Sequence, residues 1–357
     1  MKKPTPKLRL RLIRLAQYQK NRNSKRRVRN YVHIRNKFVK PGEIIKAPVR
    51  FNLTRGAGIE VVKFLKAVAH TVLKLHKPVR LNFKDTEAFF VPGAILLYAE
   101  LNRIILESDL PKPITIINPF RQKPREVLKQ IELHQLTGDN CEVVPTKDDV
   151  VFWKIKKGAN QSGGDLGPIL EYVADCANKE HAKKVEVSGI WRGVSEAVSN
   201  VVDHAYEIPR KDGFAGLNDT KWWMFTQIRE ERFTAAVCDL GCGYINTIKR
   251  NIEEAFLSKI YGVLTGKNED ALAIQAAMEY GRSGTKLSNR GKGSRDALSV
   301  LIKHGSGQLF ILSKSGWVQY KINGNKEKIE TGDLGIDIGG TIIWWTLPLK
   351  DENNDES

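Results

Sequence analysis

Glu196, Asn200 and His204 recur four residues apart in Glu196-Ala-Val-Ser-Asn-Val-Val-Asp-His204. On an α-helix that spacing stacks a carboxylate, a carboxamide and an imidazole along one face. Ala197, Val198, Val201 and Val202 between them are small and apolar, so the opposite stripe can bury. Such a helix can wall a site. It can equally be a half-buried helix with ordinary polar edges.

Three further runs offer complementary chemistry. In Asp239-Leu-Gly241-Cys-Gly243 the aspartate ends the β-like run Phe233–Cys238. There it can accept a hydrogen bond from an exocyclic amine, and the glycines permit close backbone approach. Gly291-Lys292-Gly293-Ser294 precedes the helical run Arg295–Lys303. Glycines opening a helix turn free N–H groups and the positive helix end toward an anion. Lys286, Arg290 and Lys292 add charge nearby, and neither a Walker loop nor a Rossmann fingerprint occurs. Gly339-Gly340-Thr341 opens the apolar run Ile342–Pro348. It can floor a purine pocket, or simply turn into a core strand. Each run by itself specifies little.

In order, the four runs resemble the GHKL, or Bergerat-fold, ATP-binding domain over about Val185–Leu349. Ser195–Glu207 (SEAVSNVVDHAYE) is closest to the anti-sigma-factor serine kinases, and His304–Gly316 (HGSGQLFILSKSG) is similar to histidine-kinase ATP domains. The resemblance implies ATP and Mg²⁺ as cofactors. It implies Asn200 as the metal ligand, Glu196 as general base, and His204 at the phosphate end or packing the helix. Asp239 would read the adenine amine, with Thr341 beside it. Gly241 and Gly243 would flank the adenine, and Gly291 and Gly293 would offer N–H groups to the phosphates, near Lys292. Residues 244–290 would form a lid containing helices at Ile252–Tyr261 and Asp270–Tyr280, with Arg282 and Lys286 candidates to meet phosphate. The third box departs from the kinase pattern, with Ser294 where a leucine is usual. No histidine box precedes these runs, and the chain ends shortly after the last of them. Neither a sensor-kinase nor a gyrase-, mismatch-repair- or chaperone-type arrangement is therefore expected.

The elements that must position these residues read as α/β. Expected upstream are helices at Ile59–Leu75, Gly93–Leu106 and Pro124–Leu136, with strands at Val79–Phe83, Ile114–Ile117 and Val150–Ile155. Leu81–Ile104 (LNFKDTEAFFVPGAILLYAELNRI) resembles a STAS domain. In signalling members a serine before the helix-opening glycine accepts phosphate. Pro92 and Val91 stand there here, so that role is not carried over, and Thr86 is the nearest hydroxyl. The expected organisation is a basic arm at 1–29, a STAS-like α/β domain at 30–157, a linker at 158–167 and a GHKL α/β sandwich at 168–350. That sandwich layers helices on a mixed sheet, and an acidic tail follows at 351–357. Within the sandwich, helices are expected at Leu166–His181 and Val187–Tyr206, and from about Ser294 to His304. Strands are expected at Met224–Glu230, Phe233–Asp239, Leu309–Ser313, Trp317–Ile322 and Thr341–Leu347.

Of a net charge of +18, residues 1–50 carry 17 Lys or Arg against the single acid Glu43. The rest of the chain is therefore near neutral. The arm suits nucleic acid, an acidic protein or an anionic membrane surface; it also suits a solvated tail or an organelle transit segment. Four scattered cysteines give no disulfide framework or zinc pattern, and no apolar run is long enough to span a membrane. A cytoplasmic ATPase or serine/threonine-kinase-like regulator fits, its STAS-like domain binding a protein partner or a second copy. The alternative is a non-catalytic, nucleotide-switched interaction protein using the arm.

Overall fold

The helix Val91–Glu107 lies at the centre of the molecule, with Pro92 through Ile104 buried without a break. A helix buried this completely must be covered on every side, and it packs against the helices Ala57–Ala69 and Leu133–Thr137 and against a seven-stranded sheet. The computed structural model describes residues 42–54, 56–139, 154–159, 183–184, 187–214, 216–217, 220–229, 232–251, 268–282, 292–348 and 350–351.

On one side is a small parallel unit. Strands β1 (Glu43–Lys46), β3 (Val79–Asn82) and β5 (Ile114–Ile117) form a sheet in the order β1-β3-β5. The two-residue strands β2 (Arg50–Phe51) and β4 (Ala88–Phe89) pair separately. Parallel neighbours need crossovers. Ala57–Ala69, ending in the π turn His70–Lys74, links β1 to β3, and Val91–Glu107 links β3 to β5. The helix predicted over Pro124–Leu136 is instead two helices, Gln122–Gln130 and Leu133–Thr137. Glu132, at φ 59, breaks it.

On the other side is a seven-stranded sheet. Its strands are β6 (Lys154–Gly158), β8 (Trp222–Arg229), β9 (Arg232–Asp239), β10 (Ser306–Ser313), β11 (Gly316–Asn323), β12 (Lys326–Asp333) and β13 (Thr341–Pro348). The order is β12-β11-β10-β13-β9-β8-β6. The expectation of a mixed sheet is corrected: every pairing in it is antiparallel, short turns joining β8 to β9, β10 to β11 and β11 to β12, and longer connections returning β13 between β10 and β9. The strand predicted at Val150–Ile155 is described from Lys154 to Gly158 and joins this sheet through β8, not the parallel one, residues 150–153 lying outside the described residues. The short pair β7 (Lys183–Lys184) and β14 (Lys350–Asp351) stands apart.

Both faces of the large sheet's central strands β8, β9, β10 and β13 are buried, which explains their apolar runs, while the edge strand β12 is largely exposed. Side chains alternate between two cores, as the pleat requires. Trp223, Phe225, Ala236, Cys238, Phe310, Leu312 and Ile342 face the core shared with Val91–Glu107. Trp222, Met224, Ala235, Val237, Leu309, Ile311, Ile343 and Trp345 face the helices Val187–Asn200, Glu269–Arg282 and Lys292–His304. The architecture is thus α/β. No described helix is long and apolar enough to cross a membrane. The arm, the helix predicted at Leu166–His181, the lid helix at Ile252–Tyr261 and most of the expected linker lie outside the described residues, as does nearly all of the acidic tail.

Candidate functional site

The helix Val187–Asn200 forms because Ile190, Val194, Ala197 and Val198 repeat at helical spacing and bury against the large sheet. Glu196 and Asn200 flank that stripe and are half-buried. At Val201–Ala205 the helix widens into a π turn, a form that recurs at functional sites. The turn delivers the Ala205 carbonyl to the loop after β9, where it accepts the Cys242 N–H at 2.7 Å. Gly241 is required here: a Cβ would lie 2.2 Å from that same oxygen. The polar-faced helix and the Asp-x-Gly-x-Gly turn are therefore locked together. His204 Nδ1 stands 3.7 Å from the Glu207 carboxylate, too far for a hydrogen bond.

Asp239 ends β9, as its place in the sequence predicts, and it is buried. Its Oδ1 accepts the Gly241 N–H at 2.8 Å. Thr341, its register partner on β13, donates both its N–H and its hydroxyl. Burial pushes the carboxyl up to about 7, against the pull of these donors and of the Arg210 charge. Gly340 closes the floor, since a Cβ there would lie 2.1 Å from the Asp239 carbonyl oxygen. The structure thus brings Asp239, Gly241 and Thr341 together in one cluster. Gly243 joins them at φ 78, against Ser313 and Lys314.

Four residues of this cluster escaped the motifs. Ser313 Oγ lies 3.0 Å from Thr341 Oγ1 and accepts the Tyr244 N–H at 3.0 Å. The Tyr206 hydroxyl donates to the Lys221 carbonyl at 2.6 Å and accepts the Leu240 N–H at 3.0 Å. Burial raises the Tyr244 phenol, and Asp239 and then Glu196 add to the effect. One buried phenol thus feels both carboxylates. Arg210 donates to the Gly339 carbonyl at 2.5 Å. Only Ser313 carried a signal, as a lone hydroxyl ending an apolar strand.

The third box starts a helix as predicted. Lys292 and Gly293 lie in the first turn of Lys292–His304, which packs beside Val187–Asn200. Arg282 ends the helix Glu269–Arg282. Gly291 and Lys286 lie outside the described residues. Among the described residues no group of three or more His, Cys, Asp or Glu could hold a metal ion.

No protein-family model matches the chain. No curated protein matches it either. Among solved structures, the chain is similar to the histidine kinase domain from the Erythrobacter litoralis EL346 blue-light activated histidine kinase. That likeness covers 82% of this chain and 93% of the other, at 14% identity and a TM-score of 0.23. A superposition at that level carries no argument. The chemistry of the cluster rests on its own geometry: a buried carboxylate among small residues, a hydroxyl beside it, and two helices side by side.

Proposed function

We propose that the chain binds ATP with Mg²⁺ in a GHKL-type pocket and acts as an ATPase or serine/threonine-kinase-like regulator. The carrying observation is Asp239: a buried carboxylate at a strand end, ringed by Gly241, Gly340 and Thr341. A buried carboxylate with spare acceptor capacity suits an exocyclic amine.

Asn200 would hold the Mg²⁺. A half-buried carboxamide suits a metal that keeps its waters and takes most other ligands from nucleotide phosphates, so no cage of protein ligands is required. The ion would offset phosphate charge. Glu196, one turn earlier, would accept the proton from water or from an acceptor hydroxyl. Gly291, Lys292 and Gly293 would face the phosphates at the start of their helix, with Arg282 and Lys286 on the lid. His204 would support the helix end.

The parallel α/β unit would bind a protein partner or a second copy. Self-phosphorylation at the STAS-like position is disfavoured: Pro92 is buried, and Thr86 is buried with its hydroxyl donating to the Pro48 carbonyl at 2.8 Å. A cytoplasmic setting belongs to the proposal, supported by the buried free thiols of Cys238 and Cys242.

The basic arm supports a second reading, a nucleotide-switched interaction protein without turnover. Release of labelled phosphate or its transfer from γ-labelled ATP separates the two. Turnover that is lost in Glu196→Ala while ATP still binds supports the enzyme. A parent chain that binds ATP without turnover supports the switch.

A further inference from the structure

We propose that Arg210 is a positioning residue that couples the parallel α/β unit to the Asp239 pocket, so that nucleotide affinity depends on its contact with Glu100. This rests on the reading of the Asp239 cluster as a nucleotide pocket.

Arg210 sits on the short turn that follows the π turn Val201–Ala205. The turn is closed by Arg210 N–H to the Phe214 carbonyl at 2.9 Å and Gly213 N–H to the Arg210 carbonyl at 2.8 Å. The Arg210 side chain is only 7% exposed. Nη1 reaches in two directions. It donates to Glu100 Oε1 at 2.8 Å, on the central helix, and to the Gly339 carbonyl at 2.5 Å. Its other nitrogens engage Asp212. Two guanidiniums approach the Phe214 ring, Arg210 at 5.2 Å and Arg103 at 5.3 Å from its centroid.

Arg103 in turn holds Glu100 at 2.7 Å and Glu107 at 3.1 Å. Burial opposes the Arg210 charge, but Glu100 and Asp212 outweigh it and hold the guanidinium above its ordinary value. A buried ion pair is a poor source of net stability, and loss of one partner strands the other. Its use here is geometric. Glu100 belongs to the parallel unit, and Gly339 opens the Gly-Gly-Thr run that ends on Asp239.

Gly339 transmits the position of Arg210. It sits at φ 76, its N–H is held by Asp337 at 2.7 Å, and a Cβ would lie 2.7 Å from Arg210 Nη1. The next residue, Gly340, is in close contact with Asp239, and the next, Thr341, donates to it. Displacing the Gly339 carbonyl therefore moves the pocket floor. A side chain that contacts both sites can carry a coupling free energy between them.

The test measures Mg·ATP affinity and amide exchange at residues 339–341 in the full chain. The variants are Glu100→Gln, Glu100→Gln with Arg210→Lys, Glu100→Gln with Arg210→Met, and Asp239→Asn. Urea unfolding confirms that each is folded; the Met double variant leaves no stranded charge in the pair. Expected are a loss of affinity of about tenfold in Glu100→Gln and faster exchange at 339–341. With lysine at 210, which keeps a cation able to reach the Gly339 carbonyl, affinity exceeds that with methionine. Unchanged exchange and affinity in Glu100→Gln overturn the coupling, while Asp239→Asn still reports on the pocket. Equal affinity with lysine and methionine also overturns it. Absence of ATP binding by the parent overturns the pocket reading and the coupling with it.

Discussion

The hydroxyls of Ser313 and Thr341 lie 3.0 Å apart and buried, and they complete a chain of hydrogen bonds that ends on Asp239. Its direction follows from the groups at its ends. The Tyr244 N–H can only donate, and the single Thr341 hydroxyl hydrogen is directed to Asp239. Ser313 therefore donates to Thr341, and Thr341 donates to the carboxylate. Three elements distant in sequence, the helix Tyr244–Asn251 and the strands β10 and β13, thus fix one side of the carboxylate.

Thr341→Val breaks this chain at its last link. It removes one hydrogen bond to a carboxylate and leaves Ser313 without its acceptor. The expected cost is about 1–3 kcal/mol in urea unfolding, with weaker ATP binding. Thr341→Ser keeps the donor and should retain most of both. Equal behaviour of the Val and Ser variants would count against a polar role for Thr341.

Asp239 gives stability a definite pH dependence. Its carboxyl titrates near 3.8 when unfolded and at about 7 when folded. Below both values the proton is held in each state. As pH rises from about 4 to about 7 the unfolded chain releases it while the folded chain retains it. A contribution of about 4 kcal/mol is therefore lost with rising pH over that window. Asp239→Asn should flatten this part of the urea-midpoint profile; identical profiles for parent and variant would refute the assignment.

Gly241→Ala places a methyl group against the Ala205 carbonyl, at 2.2 Å. Backbone atoms cannot yield as a side-chain end can. A loss of about 1–3 kcal/mol is expected, together with loosening of the Cys242 N–H bond to Ala205. Amide exchange at Cys242 reads the second effect. An unperturbed amide there would show that the π turn does not hold the glycine loop.

Much of this site was legible before the structure. Spacing identified the polar helix, the strand-end aspartate and the glycine-opened helix because each is a local pattern. The split of the helix predicted at Pro124–Leu136 was not legible, since it turns on the left-handed backbone of Glu132. Nor was the placement of β6, because a short strand rich in lysine does not announce its partner. Ser313, Tyr206 and Arg210 escaped for a related reason. Their roles depend on contacts made only when distant strands and the central helix come together.

Deleting residues 1–29 removes a dense run of Lys and Arg. Retention on heparin or nucleic acid should fall, and its salt dependence should become shallower. Unchanged retention would place the polyanion-binding surface elsewhere.

Thermal unfolding with Mg·ATP, on the parent and on Asp239→Asn, tests the pocket most directly. ATP at about a hundredfold above its Kd should raise the parent Tm by about 5 °C. The asparagine variant should show little or no rise, because the carboxylate that accepts the adenine amine is gone. An equal rise in both proteins would contradict nucleotide binding at Asp239.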